Sequence, residues 1–500
     1  MRALLTAPAP YAVAMGGLSL QSVWESLLAT GLVACDRAFS DWPDGAALLP
    51  PVRLGSYHLI GVSLPYELDW LALPAMLEAG GLPAWARERA DDGPVILAGG
   101  ASVTMNPEPL AEIVDAFVIG EAEPVLPAIV DTLCCTRSRT ERLAALANLP
   151  GLYVPTVGDV AQASSLRPPG PVQRLAWDGA TDSPRTSLVV SPHAAFPDRF
   201  LIETGRGCPM GCRFCLARAV YRPVRFATSE SILSAGAEGL RTTRRIGLIG
   251  AALSGLPGLS DLVVELVTQG ADVSLSSLRA DRLTPALLAA LKRGGQDTVT
   301  IAPEAGTEVL RSAVGKAIAD ETLDAAIAAV SDAGLRDVKL YFMTNLPGEV
   351  PADREAIVGL VAGWARGFPQ LRFAVTLSPF VPKPWTPLED APFPALSQVK
   401  RILNALVSRL RQQTRVDVRP GSARLAAVQA ALARGDRRIG RAIVAAAAKG
   451  GAYSALKTAL KAEGVDLDAP RYAPEVRHWR KALGTAEVCG SAGLGGDDQG

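Results

Sequence analysis

The chain is expected to fold as two successive α/β domains, an open doubly wound parallel sheet and then a partial barrel of six βα units, (β/α)6, followed by a small helical region. Three observations carry this expectation. Short apolar runs alternate with helical periodicity twice along the chain. A stretch rich in Pro, Gly, Ser and Asp, with little periodicity, separates the two alternations, and after Ala395 the pattern turns helical and basic. A length of 500 residues exceeds what one core usually supports, and 49% hydrophobic against 20% charged residues describes packed globular domains.

The first domain is expected over residues 1–136. Its strands are ALLTAP (3–8), LVACDRAF (32–39), HLIGVSLP (58–65), PVILAGG (94–100) and AFVIGEAE (116–123). Between the first two, Leu20, Val23, Trp24, Leu27 and Leu28 form the apolar stripe of a helix packed on a sheet. Ligands of a doubly wound sheet lie beyond the carboxyl ends of its strands, where YAVAMGG (11–17) and GGASVTM (99–105) fall.

Residues 137–198, with SSLRPPGPVQ and DGATDSPRTS, read as a connector laid over the surface. The barrel is expected over 199–394, with strands FLIET (200–204), RIGLIG (245–250), VSLSSL (273–278), TVTIAP (298–303), DVKLYFM (337–343) and RFAVTLSPF (372–380). Their spacing of roughly 25 to 40 residues is one strand plus a crossover helix and its loops. Six such units make an incomplete barrel. Residues 395–485 are the helical region, and 486–500 read as a disordered tail.

Fifty basic residues balance fifty acidic ones, so no whole-chain field draws the protein to nucleic acid or to a membrane surface. The arginines at 415, 419, 424, 434, 437, 438 and 441 lack an interleaved aromatic stripe and read as a solvated helical face. No signal peptide and no membrane-spanning run is visible, so a cytoplasmic location is expected. Seven cysteines, an odd number, argue against a disulfide framework.

Three of those cysteines fall within RGCPMGCRFCLARAVYRPVRF, Arg206 to Phe226. Cys208, Cys212 and Cys215 stand at C-x3-C-x2-C with no histidine nearby. Zinc sites usually take four ligands and four cysteines close an iron–sulfur cluster, whereas three thiolates leave one iron open. The alternatives are a zinc site completed by a distant cysteine, or three unrelated core cysteines. Cys35, Cys134, Cys135 and Cys489 show no metal spacing.

With this motif directly after a barrel strand, the sequence resembles the radical SAM superfamily. That resemblance implies a [4Fe-4S] cluster on Cys208, Cys212 and Cys215 whose open iron chelates S-adenosylmethionine (SAM), and reductive cleavage of SAM to a 5′-deoxyadenosyl radical. It places Phe214 beside the adenine. The second-strand motif, normally two glycines and a Glu that receive the SAM amino group, falls at Gly250 and Ala251, where the acid is missing. Ser276 and Arg279 occupy the third strand end, Glu304 the fourth, and Asn345 and Leu346 in MTNLPGE the fifth, all expected to contact SAM. Tyr221, Arg222 and Arg225 are expected to cover the cluster or touch SAM, and Trp385 to border the pocket or join the core.

More narrowly, LIGVSLPYELDW, GGASVTMNPEPLAEIVDAFVIGEAEPVLP, APEAGTEVLR, SPFVPKPWTPL and LARGDRRIG resemble long radical SAM proteins whose N-terminal domain is cobalamin (B12)-binding-like and Rossmann-like. The cobalt-ligating D-x-H-x-x-G motif is absent, and His58, His193 and His478 do not supply it. Cobalamin would therefore bind His-off, with Gly99, Gly100 and Ser102 along its nucleotide tail; otherwise the domain merely covers the barrel mouth. Two function classes follow. One is a radical enzyme, acting by cobalamin-dependent methyl transfer, by rearrangement or cyclisation, or by RNA modification. The other is an iron–sulfur redox sensor. The enzyme reading implies a small-molecule or peptide substrate and an electron donor such as a flavodoxin or ferredoxin. The catalytic residues are not specified.

Overall fold

A computed structural model of the chain describes residues 1–41, 53–155 and 172–483. The expected tail over 486–500 lies outside them. The N-terminal sheet contains β1 (Arg2–Thr6), β2 (Ala34–Ala38), β3 (Leu59–Ser63), β4 (Val95–Gly99), β5 (Ala116–Val118) and β6 (Leu152–Tyr153), in the order β2-β1-β3-β4-β5-β6. The first five run parallel, and β6 pairs antiparallel with β5 through Phe117 and Tyr153. Central strands such as VILAG are apolar throughout because helices cover both faces. The segment expected as a connector contributes β6 and the helix Arg139–Leu146, which starts with a capping box on Ser138 and Glu141. In the helix Ser19–Ala29, Leu20 and Leu27 are buried as expected, while Leu28 faces solvent.

The second sheet system holds β7 (Phe200–Glu203), a short ladder of β8 (Gly205–Arg206) with β9 (Arg225–Phe226), then β10 (Arg245–Ile249), β11 (Asp272–Leu275), β12 (Thr298–Glu304), β13 (Asp337–Thr344) and β14 (Arg372–Pro379). Parallel pairing runs β7-β10-β11, continues through a bridge from Leu278 to Ile301, and proceeds β12-β13-β14. This is the expected open barrel of six units. A seventh parallel strand, β15 (Val416–Pro420), pairs with β14 inside the region expected to be helical. Only Val418 of VDVRP is buried, so no apolar alternation marks it in the sequence.

The C-terminal helices do not stand apart. Val428, Leu432, Ile439 and Ile443 share one core with Trp70, Leu73, Ile113 and Phe117 of the N-terminal domain. Asn106 Nδ2 donates to the carbonyls of Ala433 (3.1 Å) and Gly435 (2.9 Å), and Trp385 Nε1 donates to Met105 O at 2.8 Å. Trp385 is thus a tie between domains. Among the described residues, no helix is long and apolar enough to cross a membrane.

Asp115 sets the start of β5, the strand that delivers Gly120–Glu123 to the domain interface. Its fully buried carboxylate accepts from Arg89 (2.8 Å), Arg139 (2.6 Å) and the Ile96 N–H (2.8 Å). Replacing it with alanine strands two guanidinium groups in the interior. Asp115→Ala is therefore expected to lose about 3–5 kcal/mol of stability, read as a lowered urea midpoint.

Candidate functional site

The cysteine loop is pinched at its base. β8 and β9 pair Arg206 with Arg225 and Gly205 with Phe226, so residues 207–224 form a closed excursion carrying all three thiols. Gly207 has φ +82°, and a Cβ there would lie 2.6 Å from Tyr221 O, so only glycine closes this neck. The far side of the loop rests on the turn after the fourth barrel strand. Arg213 donates its backbone N–H to Val314 O (2.9 Å) and Nη1 to Ala313 O (3.1 Å). Gly315, at φ +76°, comes so near the Gly211 carbonyl that a Cβ would sit 2.3 Å from it.

The three thiols stand in one electrostatic field. Burial pushes the Cys212 thiol up, Lys316 pulls it down, and Cys215, Glu304 and Cys208 push it up again. Burial also raises Cys215, against the backbone N–H groups of Ala217 and Arg218 that hydrogen-bond its sulfur. Three thiolates held this way need positive charge to offset them, and an iron–sulfur cluster supplies it. Among the described residues, no three His, Cys, Asp or Glu side chains lie close enough to share a single ion. A polynuclear cluster, with each thiolate on its own iron, does not require that closeness.

Several expected SAM contacts surround this loop. Phe214 packs with Met343, Leu346 and Phe380, joining the loop to the fifth strand end. There Asn345 holds φ +60°, donates Nδ2 to Thr344 Oγ1 (2.9 Å), and leaves Oδ1 buried without a partner. An orphaned acceptor beside an aromatic fits the amino edge of an adenine. Glu304 holds φ +71° and pairs with buried Lys316 at 2.8 Å. Arg279 feels Cys212 and Cys208, but its guanidinium is bidentate to Asp281 at 2.9 Å. Ser276 is exposed beyond β11. The sequence offered no sign of Lys316, a lone lysine after a glycine turn that only the fold carries to the cysteines.

Gly250 and Ala251 line a cavity of about 370 Å³ between the domains. Its floor is the carboxyl edge of the N-terminal sheet, including Thr6, Ser63, Gly99 and Gly100; its roof is Glu203, Gly207, Tyr221 and Ile249. Ser102 is not in its wall: its hydroxyl donates to Leu64 O (2.6 Å) and accepts from Trp70 Nε1 (2.9 Å). Nor is Arg225 free to touch SAM. Arg225 binds Glu121 through both terminal nitrogens (2.6 and 2.9 Å), and Arg222 Nε is spent on Arg218 O.

A web of buried ion pairs closes one side of the cavity. Arg206 reaches Glu121 (3.1 Å), Glu123 (2.6 Å) and Glu203 (3.0 Å), and its guanidinium lies over Trp177 at 4.9 Å. Burial pushes the Glu123 carboxyl up, but its hydrogen bond from Arg206 brings it below the ordinary range. Burial raises Glu203.

A parallel barrel whose first strand leads into a closed loop carrying three thiols is the arrangement of an iron–sulfur class of protein. The chain carries a radical SAM domain: residues 202–361 match the radical SAM superfamily, and residues 19–155 match the N-terminal domain of radical SAM proteins. It is 29% identical over 392 residues to an uncharacterised protein of Methanocaldococcus jannaschii, covering 78% of this chain and 80% of that one. A solved structure of apo OxsB, a cobalamin-dependent S-adenosylmethionine radical enzyme, matches 72% of this chain at 17% identity and TM-score 0.53. The match spans 51% of the OxsB chain and shows the fold alone. The hydrogenase maturase HydG matches 47% of this chain and 55% of its own at 14% identity, with TM-score 0.32.

The Glu304–Lys316 pair is expected to be costly to break. Lys316→Met should lower stability by about 3–5 kcal/mol, because Glu304 then lies buried without its cation. The double variant Glu304→Gln/Lys316→Met should recover most of that loss in urea unfolding of the cluster-free chain.

Proposed function

We propose that this chain cleaves S-adenosylmethionine reductively and directs the resulting radical at a small molecule held in the cavity between the domains. The observation that carries the reading is the contact between the two sites. Gly207 and Gly250 line the cavity, and Gly207 immediately precedes Cys208 of the three-thiol loop. When bound, a [4Fe-4S] cluster on Cys208, Cys212 and Cys215 supplies the electron that splits SAM into methionine and a 5′-deoxyadenosyl radical.

The chain's own residues position and enclose. Phe214 and Leu346 offer an apolar slot for an adenine, with Asn345 Oδ1 as acceptor. On this reading the backbone carbonyls at Gly250 and Ala251, which line the cavity, accept from the SAM amino group in place of the absent acid. The N-terminal domain covers the barrel mouth and keeps water from the radical. A cavity of about 370 Å³ lies toward the lower end of the range of roughly 300–1,000 Å³ for small-molecule sites. Its apolar wall with a few hydroxyls at the strand ends suits a compact, largely uncharged substrate.

Methyl transfer through cobalamin is the second reading, favoured by the cavity's place at the carboxyl edge of a doubly wound sheet and by the likeness in fold to OxsB. No histidine lines the cavity, so a corrin there would bind His-off. A flavodoxin or ferredoxin is the proposed electron donor.

Anaerobic reconstitution with iron and sulfide, followed by dithionite and SAM, tests the proposal by mass spectrometry. The wild-type chain should form 5′-deoxyadenosine, and Cys212→Ala should fall to background. A rise in S-adenosylhomocysteine that needs added cobalamin selects the methyl-transfer reading. A loaded cluster that binds SAM and yields neither product, with dithionite as reductant, leaves the redox-sensor reading standing.

A further inference from the structure

The arginines of the C-terminal region separate into two kinds. Arg415, Arg419, Arg424 and Arg438 face solvent, as a solvated helical face requires. Arg434 does not. It is 6% exposed on the short link between the helices Ala423–Ala433 and Arg437–Ala447, and Arg471 stands half-buried beside it.

Both guanidinium groups are spent on backbone. Arg434 Nη1 donates to the carbonyls of Glu389 (3.0 Å) and Ala391 (2.9 Å). Arg471 donates Nη1 to Asp466 O (2.7 Å) and Nη2 to Ala427 O (2.9 Å). Arg434 Nη2 and Arg471 Nε are buried with no hydrogen-bond partner. Among the described residues, neither arginine forms an ion pair. The nearby carboxylates are already committed, Glu389 to Arg480 (2.5 Å) and Asp390 to Arg477 (2.6 Å). Burial lowers the Arg434 pKa to about 10, and the neighbouring Arg471 pushes it the same way. Two like charges withdrawn from water are unfavourable, and the carboxylates that act on them, Glu389 and Asp390 on Arg434 and Asp466 and Asp468 on Arg471, do so without a direct ion pair.

Both arginines line a pocket of about 150 Å³. Its wall also includes Asp436, Ile439, Tyr472 and His478. Asp436 does not serve as the missing anion. It caps the eleven-residue helix Arg437–Ala447 through the Arg438 N–H (3.0 Å) and accepts from Arg438 Nε (3.0 Å). That helix presents its positive end to the same pocket.

We propose that this pocket binds a compact oxyanion, the phosphoryl or carboxylate group of a ligand, between Arg434, Arg471 and the N-terminal end of the helix. The volume is about half that of the smallest whole-ligand sites, so the anionic group enters and the rest of the ligand lies outside. None of the lining residues belongs to the cysteine loop or to the cavity between the domains, so the inference stands apart from the radical chemistry.

Calorimetric titration of the full chain at constant ionic strength, with inorganic phosphate and with acetate as probes, tests this directly. Saturable binding is expected; tighter phosphate marks a phosphoryl ligand, and tighter acetate a carboxylate one. Arg434→Met should weaken binding at least roughly tenfold, the loss of a charge-assisted contact, while Arg419→Ala on exposed β15 should leave it unchanged. If circular dichroism shows Arg434→Met unfolded, Arg471→Met carries the same comparison. Failure of both probes to saturate the wild-type chain overturns the proposal, as does binding that Arg434→Met and Arg471→Met leave untouched.

Discussion

Arg206 is the residue on which the arrangement of the two domains turns. It sits in the two-residue ladder that closes the cysteine loop, and its side chain leaves the barrel to meet Glu121 and Glu123 on the loop after β5. Glu121, Glu123 and Glu203 oppose Arg206, Arg225 and Arg185, and Arg185 also pairs with Glu25 at 2.7 Å. Burying so many charges is tolerable only because each is paired, with bidentate contacts from Arg206 to Glu203 and from Arg225 to Glu121. Trp177 stacks against Arg185 and Arg206 and shields the web from water. The consequence is directional: the carboxyl edge of the N-terminal sheet is held against the thiol loop.

That constraint explains why the cavity exists where it does. A doubly wound sheet and a parallel barrel both leave their strand ends open to ligands, and here the two open edges face each other. The ion web occupies one side of the seam, and the apolar strand ends enclose the remainder. A second seam, through Trp385, Asn106 and the C-terminal helices, fixes the far side of the N-terminal domain. Two seams resist the hinge motion that a single small interface would permit. The enclosure of the cavity beside the thiol loop is thus a property of both domains together.

The strand alternation was legible because parallel strands buried on both faces read as continuous apolar runs, and VILAG and FLIE lie where the pattern put them. β6 and β15 escaped for the opposite reason. One has only two residues, and the other is an edge strand with a single buried side chain. Of the candidate site, Cys208, Cys212 and Cys215 stand out by their spacing, since one loop supplies them all, and Phe214 by the resemblance that spacing suggests. Lys316 and Glu121 were not, because an isolated Lys or Glu in a loop looks like any solvated charge. The partners of Ser102 and Arg225 were not legible either, because sequence position shows that a polar group is near a strand end, and not which neighbour it meets.

The sequence by itself determined the class of chemistry. Three cysteines within eight residues are a local fact, and three thiolates, each on its own iron, leave the fourth iron of a cluster open. It also determined the two α/β alternations, which depend on short-range periodicity. Only the tertiary structure decided where charge is compensated. It paired Glu304 with Lys316, spread Arg206 over three acids, and left one buried nitrogen each of Arg434 and Arg471 without a hydrogen-bond partner. The physical reason is that the cost of a charge depends on burial and on partners scores to hundreds of residues away in the chain, neither of which a local pattern encodes.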